Sequence, residues 1–206
     1  AVDLARRGAH LALSDVDETG LAATVGRCEG HQVKVTSAIV DVAERDAVDA
    51  WASDVVAEHG QVNLIFNNAG VALGATVADG SYEDLRWLMD INFWGVVHGT
   101  RAFLPHLVAS GEGHVVNISS VFGLFSVPSQ SAYNASKFAV RGYTDALRME
   151  LDIADAGVSS TTIHPGGIKT NIARNARMVS KSTLGHDTES AADNFEKIAR
   201  TTPDEA

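Results

Sequence analysis

Tyr133 and Lys137 stand four residues apart, and Ser120 precedes the tyrosine by thirteen positions. In a helix, side chains four apart lie on one face, so an ammonium can sit beside a phenol. A free tyrosine titrates at about 10 and is a poor acid or base at neutral pH. A neighbouring cation favours the phenolate and lowers that value. Bringing it to about 7 takes roughly 4 kcal/mol of differential stabilisation. The product would be a general acid/base matched to its working pH. Spacing alone does not separate such a site from a solvated surface pair, but the flanking residues do more. The run His-Val-Val-Asn-Ile-Ser-Ser at 114–120 reads as a short buried strand ending on two serines. Open α/β sheets place their ligands at the carboxyl ends of strands. A loop with Gly123 and Pro128 follows. The helix carrying Tyr133 comes next, with Ser131 as its expected N-cap.

The elements around this pair alternate strand and helix, which implies βαβ units and a parallel sheet. Strands are expected at 10–15, 33–41, 62–66, 114–120 and 158–164. Helices are expected at 18–28, 43–59, 82–108 and 132–154, with Pro105 as a kink point. From 171 onward the chain turns polar and irregular, with a helix expected at 191–200. That tail, 171–206, is read as a flap on a single domain spanning 1–206. Residues 2–7 read as the last turns of a helix capped by Gly8. No strand or glycine-rich turn precedes them.

Composition narrows the function classes. The 206 residues carry a formal net charge of −10, with 45% hydrophobic and 20% charged residues. Such a balance argues against nucleic acid or an anionic membrane as the main partner. It leaves room for an anionic cofactor held by local amides and helix ends. The one cysteine, Cys28, excludes an internal disulfide, fits a reducing cytoplasm and reads as an inert helix residue. Eight histidines show neither HExxH nor close paired ligand spacing, so no metal site is expected. No apolar run reaches the length of a membrane span.

Five landmarks in order resemble the short-chain dehydrogenase/reductase family, in its compact Rossmann subgroup. They are Asp15 after a strand, Asn67-Asn68-Ala69-Gly70, Asn92, Ser120 with Tyr133 and Lys137, and Pro165-Gly166 followed by Thr170. The resemblance implies a doubly wound parallel sheet and an NAD(P)-dependent oxidoreductase interconverting an alcohol and a ketone or aldehyde. It makes Tyr133 the acid/base and Lys137 the residue that lowers the Tyr133 pKa and binds the nicotinamide ribose. Ser120 holds the substrate oxygen, with Ser119 its rival for that role, and Asn92 kinks its helix and anchors a relay water. Cofactor contacts carry over to Asp15 at the adenosine ribose, Asp41 and Val42 at the adenine, and Asn68, Ala69 and Gly70 on the adenosine side. Pro165, Gly166, Ile168 and Thr170 match the stretch at the nicotinamide amide and the phosphates. A carboxylate at Asp15 would repel a 2′-phosphate, which favours NAD over NADP. Relatives pair two long helices across a two-fold axis, so a homodimer or homotetramer is implied.

Against that family pattern the glycine-rich phosphate loop, the first strand and a last strand are missing. The first strand is central in the 3-2-1-4-5-6 order. Its absence would split the sheet between the strands at 10–15 and 62–66 and expose unpaired amides and apolar side chains. The chain therefore reads as an internal piece of a longer protein, and alone it is expected to aggregate or bind NAD poorly. The substrate is weakly written. Residues 121–128 together with Phe93 and Trp94 fit an apolar alcohol or ketone, and serve equally well as core. A non-catalytic NAD(P)-binding regulator on the same fold is the alternative, although none of Asn92, Ser120, Tyr133 and Lys137 is lost. A serine hydrolase using Ser120 and His164 lacks the G-x-S-x-G elbow.

Overall fold

Short apolar runs alternating with helices fold as parallel ladders with helices packed on them. The computed structural model describes residues 1–179 and 201–202. In chain order the elements are α1 (Val2–Arg6), β1 (Leu11–Asp15), α2 (Glu18–Glu29), β2 (Val35–Ile39), α3 (Arg45–His59), β3 (Leu64–Asn67), β4 (Leu73–Gly74), α4 (Tyr82–Met89), α5 (Gly95–Ser110), β5 (Gly113–Ile118), α6 (Ser131–Ile153), β6 (Val158–Ile163) and β7 (Arg177–Met178). The fold is α/β and Rossmann-like, as expected from the alternation.

Every ladder is parallel. β1 pairs with β2, and β3, β5 and β6 form a three-stranded sheet in that order. No ladder joins β1 to β3 among the described residues, which is where the sequence placed a split. Leu64 and Phe66 of β3 and Ile39 of β2 are exposed. The main core lies under the three-stranded sheet, where Ile65, Val115 and Val158 meet Ala52 and Val55 of α3, Phe103 and Leu107 of α5, and Leu147 and Leu151 of α6. Trp51 packs edge-on to Phe103 with ring centroids 5.1 Å apart. A buried polar chain crosses the same region. The Asn67 amide donates to Asn117 Oδ1 at 2.8 Å and Thr100 Oγ1 at 3.1 Å, and the Asn117 amide donates to Thr144 Oγ1 at 2.9 Å. Buried side-chain amides fix register in this way because leaving one unpaired is costly.

Three expectations are corrected. The stretch 82–108 is not one helix: α4 and α5 are separated by a π-helical turn at Asp90–Trp94, and Pro105 sits inside α5. Ser131 is not the cap of α6; it is the first helical residue, and Gln130 precedes it without a side-chain capping bond. The segment after 171 is not wholly irregular, because β7 pairs with β4 in a two-residue parallel ladder. The helix expected at 191–200 and most of the proposed flap lie outside the described residues.

Candidate active site

Two elements place the reactive groups. β5 runs parallel to β6 and ends at Ile118, so Ser119 and Ser120 leave the sheet at its carboxyl edge. Helix α6 then brings Tyr133 and Lys137 back over that edge, one turn apart on its buried face. Asn134 fixes the intervening loop. Its Nδ2 donates to the Phe122 carbonyl at 3.0 Å and the Phe125 carbonyl at 3.4 Å, and its Oδ1 accepts from Val127 N–H at 3.2 Å. Gly123 is obligatory in this turn, since a Cβ there would lie 2.8 Å from the Lys137 carbonyl oxygen.

The two serines are set apart by their bonds. Ser119 Oγ donates to the Lys137 carbonyl at 2.8 Å, so its hydroxyl is committed to the backbone. Ser120 Oγ accepts from Phe122 N–H at 3.1 Å, and its hydroxyl acts to hold the Tyr133 pKa down. Tyr133 is 9% exposed, and its ring meets the Phe122 ring edge-on at 6.3 Å. Lys137 is 3% exposed, and its Nζ donates to the Ile118 carbonyl at 3.0 Å. Asn92 lies fully buried in the π turn. Its Oδ1 accepts from Val71 N–H at 2.8 Å, and its amide donates to the Val71 carbonyl at 2.9 Å and to Ser136 Oγ at 3.2 Å. Ser136 in turn donates to the Tyr133 carbonyl at 2.8 Å. A π turn inserts one residue into a helix and is a recurrent feature of functional sites. Here it carries Asn92 onto the strand-end loop at Val71.

The electrostatics correct one expectation. Lys137 does not lower the Tyr133 pKa in this state. Burial pushes the phenol above its ordinary value, and the Ser120 hydroxyl offsets part of that rise. The ammonium lies 5.6 Å from the centroid of the tyrosine ring and points at the Ile118 carbonyl. Burial pulls Lys137 itself from 10.5 down to about 8. Desolvation outweighs mutual attraction for both groups.

The remaining sites named from sequence sit on strand ends and the loops beyond them. Asp15 closes β1, and its Oδ1 accepts from Asp17 N–H at 3.0 Å. Asp41 Oδ1 accepts from Ala43 N–H at 2.9 Å. Val42 is pressed on Gly95, where a Cβ would lie 2.7 Å from its Cγ2. Asn68 and Ala69 are exposed beyond β3, and Gly70 lies against Asn92 and Lys137. The Pro165 carbonyl accepts from Val121 N–H at 3.0 Å, which ties the β6 end to the β5 end. Gly166 is exposed, and Ile168 and Thr170 lie in the irregular stretch after it. The structure thus gathers Asn92, Ser120, Tyr133, Lys137 and Gly70 in one cluster, and distributes the others along the carboxyl ends of β1, β2, β3 and β6. His164, weighed from sequence as a hydrolase partner of Ser120, contacts the Ser120 backbone carbonyl through Nδ1 at 2.9 Å.

Fold and site together define a parallel-sheet protein with a buried tyrosine–lysine–serine cluster at the strand ends. A family model described as short chain dehydrogenase matches residues 1–180. SadH of Mycobacterium tuberculosis, which carries an oxidoreductase name, is 51% identical over 197 residues, covering 96% of this chain and 70% of that protein. The crystal structure of a short chain dehydrogenase/reductase from Burkholderia phymatum in complex with NAD superposes with a TM-score of 0.82 at 34% identity, covering 93% of this chain and 70% of that one. A gluconate 5-dehydrogenase from Burkholderia cenocepacia, solved with NADP and tartrate, gives a TM-score of 0.74 at 29% identity, covering 84% and 70%. The chain belongs to the short chain dehydrogenase family.

Proposed function

We propose that this chain carries the proton-transfer site of an NAD-dependent oxidoreductase that interconverts a secondary alcohol and a ketone. The observation that carries the reading is the gathering of Ser120, Tyr133 and the Lys137 amine, all buried, at the carboxyl end of β5. Ser120 holds the substrate oxygen, and Tyr133 gives it a proton in reduction or takes one in oxidation. A phenol kept neutral by burial is ready as the acid. Oxidation needs its anion, and that demand favours alkaline conditions.

The residues fit a nicotinamide dinucleotide. Lys137 Nζ has three protons to donate and gives one to the Ile118 carbonyl, which leaves capacity for a ribose hydroxyl. Gly70 keeps a side chain out of the space beside it, since a Cβ there would lie 3.5 Å from Nζ. Gly166 has nothing within 4 Å of its Cβ position. Asp15 at the end of β1 would take the adenosine ribose hydroxyls, and its charge favours NAD over NADP. Asp41, Val42, Asn68 and Ala69 would line the adenine side, and Pro165, Gly166, Ile168 and Thr170 the nicotinamide side. When bound, the cofactor supplies or accepts the hydride.

The same reading covers the wider protein. A single domain acts in the cytoplasm as a homodimer or homotetramer, with Leu85, Trp94 and Phe138 exposed on the helices that would pair. No helix among the described residues is long and apolar enough to cross a membrane. The substrate is proposed to be apolar, because Phe122 meets the Tyr133 ring and Ile172 and Val179 pack against the cluster that contains it. The test is NADH formation followed by absorbance, using the protein at its natural length and secondary alcohols of rising chain length. Turnover that rises with chain length is expected. Absence of turnover with every alcohol and ketone, with NAD and NADP alike, would remove the reading.

A further inference from the structure

The segment 172–179 packs against the cluster that contains Tyr133 and is tied to α4 by the side chain of Arg177. Arg177 opens β7 and reaches α4. Its Nη1 donates to Asp84 Oδ1 at 3.2 Å, and its guanidinium lies 3.6 Å from the centroid of the Trp87 ring. Asp84 and Trp87 are three apart on α4, one turn along the same face. Asp84 is itself held, because Ser81 Oγ donates to its Oδ2 at 2.7 Å while accepting from its backbone N–H at 3.0 Å. The guanidinium therefore meets a pre-set carboxylate on one side and an aromatic face on the other. A planar, always-charged group suits that slot in a way an ammonium does not.

The backbone follows the clamp. Arg177 N–H donates to the Ala72 carbonyl and Val179 N–H to the Gly74 carbonyl, each at 3.1 Å. Met178 lies on Gly74, where a Cβ would collide with its sulfur. Ile172 and Val179 pack against the cluster formed by Leu73, Ala75, Leu88, Ala132 and Tyr133, and Trp87 packs on the same cluster. The clamp ring is thus continuous with the apolar side of the catalytic tyrosine.

We propose that Arg177 is a positioning residue whose clamp on Asp84 and Trp87 holds residues 172–179 as the apolar wall of the substrate site and so sets selectivity for bulky substrates. This inference rests on the reading that substrate meets Tyr133 and Ser120. A substrate large enough to touch Ile172 and Val179 needs the wall in place. A small alcohol held by the serine and tyrosine alone does not. Loosening the wall reduces the fraction of protein competent for the large substrate, and apparent affinity falls by that fraction.

The experiment compares wild type, Arg177→Ala, Arg177→Lys and Asp84→Asn at natural length, using propan-2-ol and a secondary alcohol of eight or more carbons. For Arg177→Ala the KM of the large alcohol is expected to rise about tenfold, from loss of the ring contact and the ion pair together. The KM of propan-2-ol, the affinity for NAD and the pH dependence of turnover stay as in wild type. Arg177→Lys keeps the charge but not the planar stack and recovers part of the loss. Arg177→Ala combined with Asp84→Asn is no worse than Arg177→Ala alone. Tryptophan emission supplies a readout without turnover: Arg177→Ala shifts it, and the same change made in Trp87→Phe does not. Equal losses for both alcohols, or no change for either, would overturn the proposal. Activity retained in Tyr133→Phe would instead sink the proton-transfer reading and leave the emission result standing.

Discussion

Replacing Lys137 by methionine should stabilise the protein at neutral pH relative to its stability at high pH, while abolishing turnover. Burial holds the ammonium at about 8 in the folded chain against 10.5 for an ordinary lysine. Below pH 8 both states carry the proton, and the folded state bears the full cost of burying it. Between pH 8 and 10.5 the unfolded chain holds more protons than the folded one, so stability rises with pH across that window. At roughly 1.4 kcal/mol per tenfold the total is about 3 kcal/mol. The Met variant lacks this dependence. It also leaves the Ile118 carbonyl without its 3.0 Å donor, which costs about 1–3 kcal/mol at every pH. The net effect at pH 7 is therefore between neutral and about 2 kcal/mol stabilising. The pH-dependent part is cleaner, because the Tyr133 contribution is common to both proteins. Urea unfolding followed by circular dichroism at pH 7 and at pH 10.5 gives it directly. Wild type should gain about 3 kcal/mol on the variant between those two values. A difference that stays flat across them would refute the claim that this ammonium is buried at a cost, and with it the trade of stability for function at Lys137.

Three further outcomes follow from the same contacts. Asn92→Ala should destabilise by about 3 kcal/mol in the same unfolding assay, since three bonds in a fully buried site are lost and the Val71 backbone groups are left unpaired. Gly123→Ala should cost about 1–3 kcal/mol and lower kcat, because its Cβ meets the Lys137 backbone and displaces the turn that seats Ser120; a thermal melt with parallel rate measurement checks both. Asp15→Ser should shift the ratio of kcat/KM for NADP over NAD upward by about tenfold or more, reflecting removal of one charge beside the ribose.

Much of the site could be read before the fold was known, because its spacing is tied to elements with strong local signals. The β-branched run before Ser119 and the long amphipathic pattern around Tyr133 are hard to read otherwise, and they bring Ser120, Tyr133 and Lys137 to one edge. The π turn at Asp90–Trp94 was not legible as a break. Over five residues apolar periodicity does not separate an i+5 register from i+4, so 82–108 looked continuous. The β4–β7 ladder was invisible because two residues carry no alternation. The polarity of 171–179 likewise concealed that Ile172 and Val179 turn inward. The electrostatic error has a different origin. Helical spacing places an amine near a phenol but says nothing of depth. Depth decides the sign, since burial disfavours both charged forms and raises Tyr133 while lowering Lys137.

The central claim is that the Tyr133 phenol moves the proton, and its removal is the most direct test. Tyr133→Phe keeps the ring that packs on Phe122 and in the cluster with Leu88 and Leu73, and deletes only the hydroxyl. Alcohol-dependent NADH formation, measured on the protein at natural length, should fall by about 10²–10⁴ in kcat/KM, the range for a positioned general acid/base. NAD affinity by calorimetry should be unchanged. A variant turning over within tenfold of wild type would contradict the account.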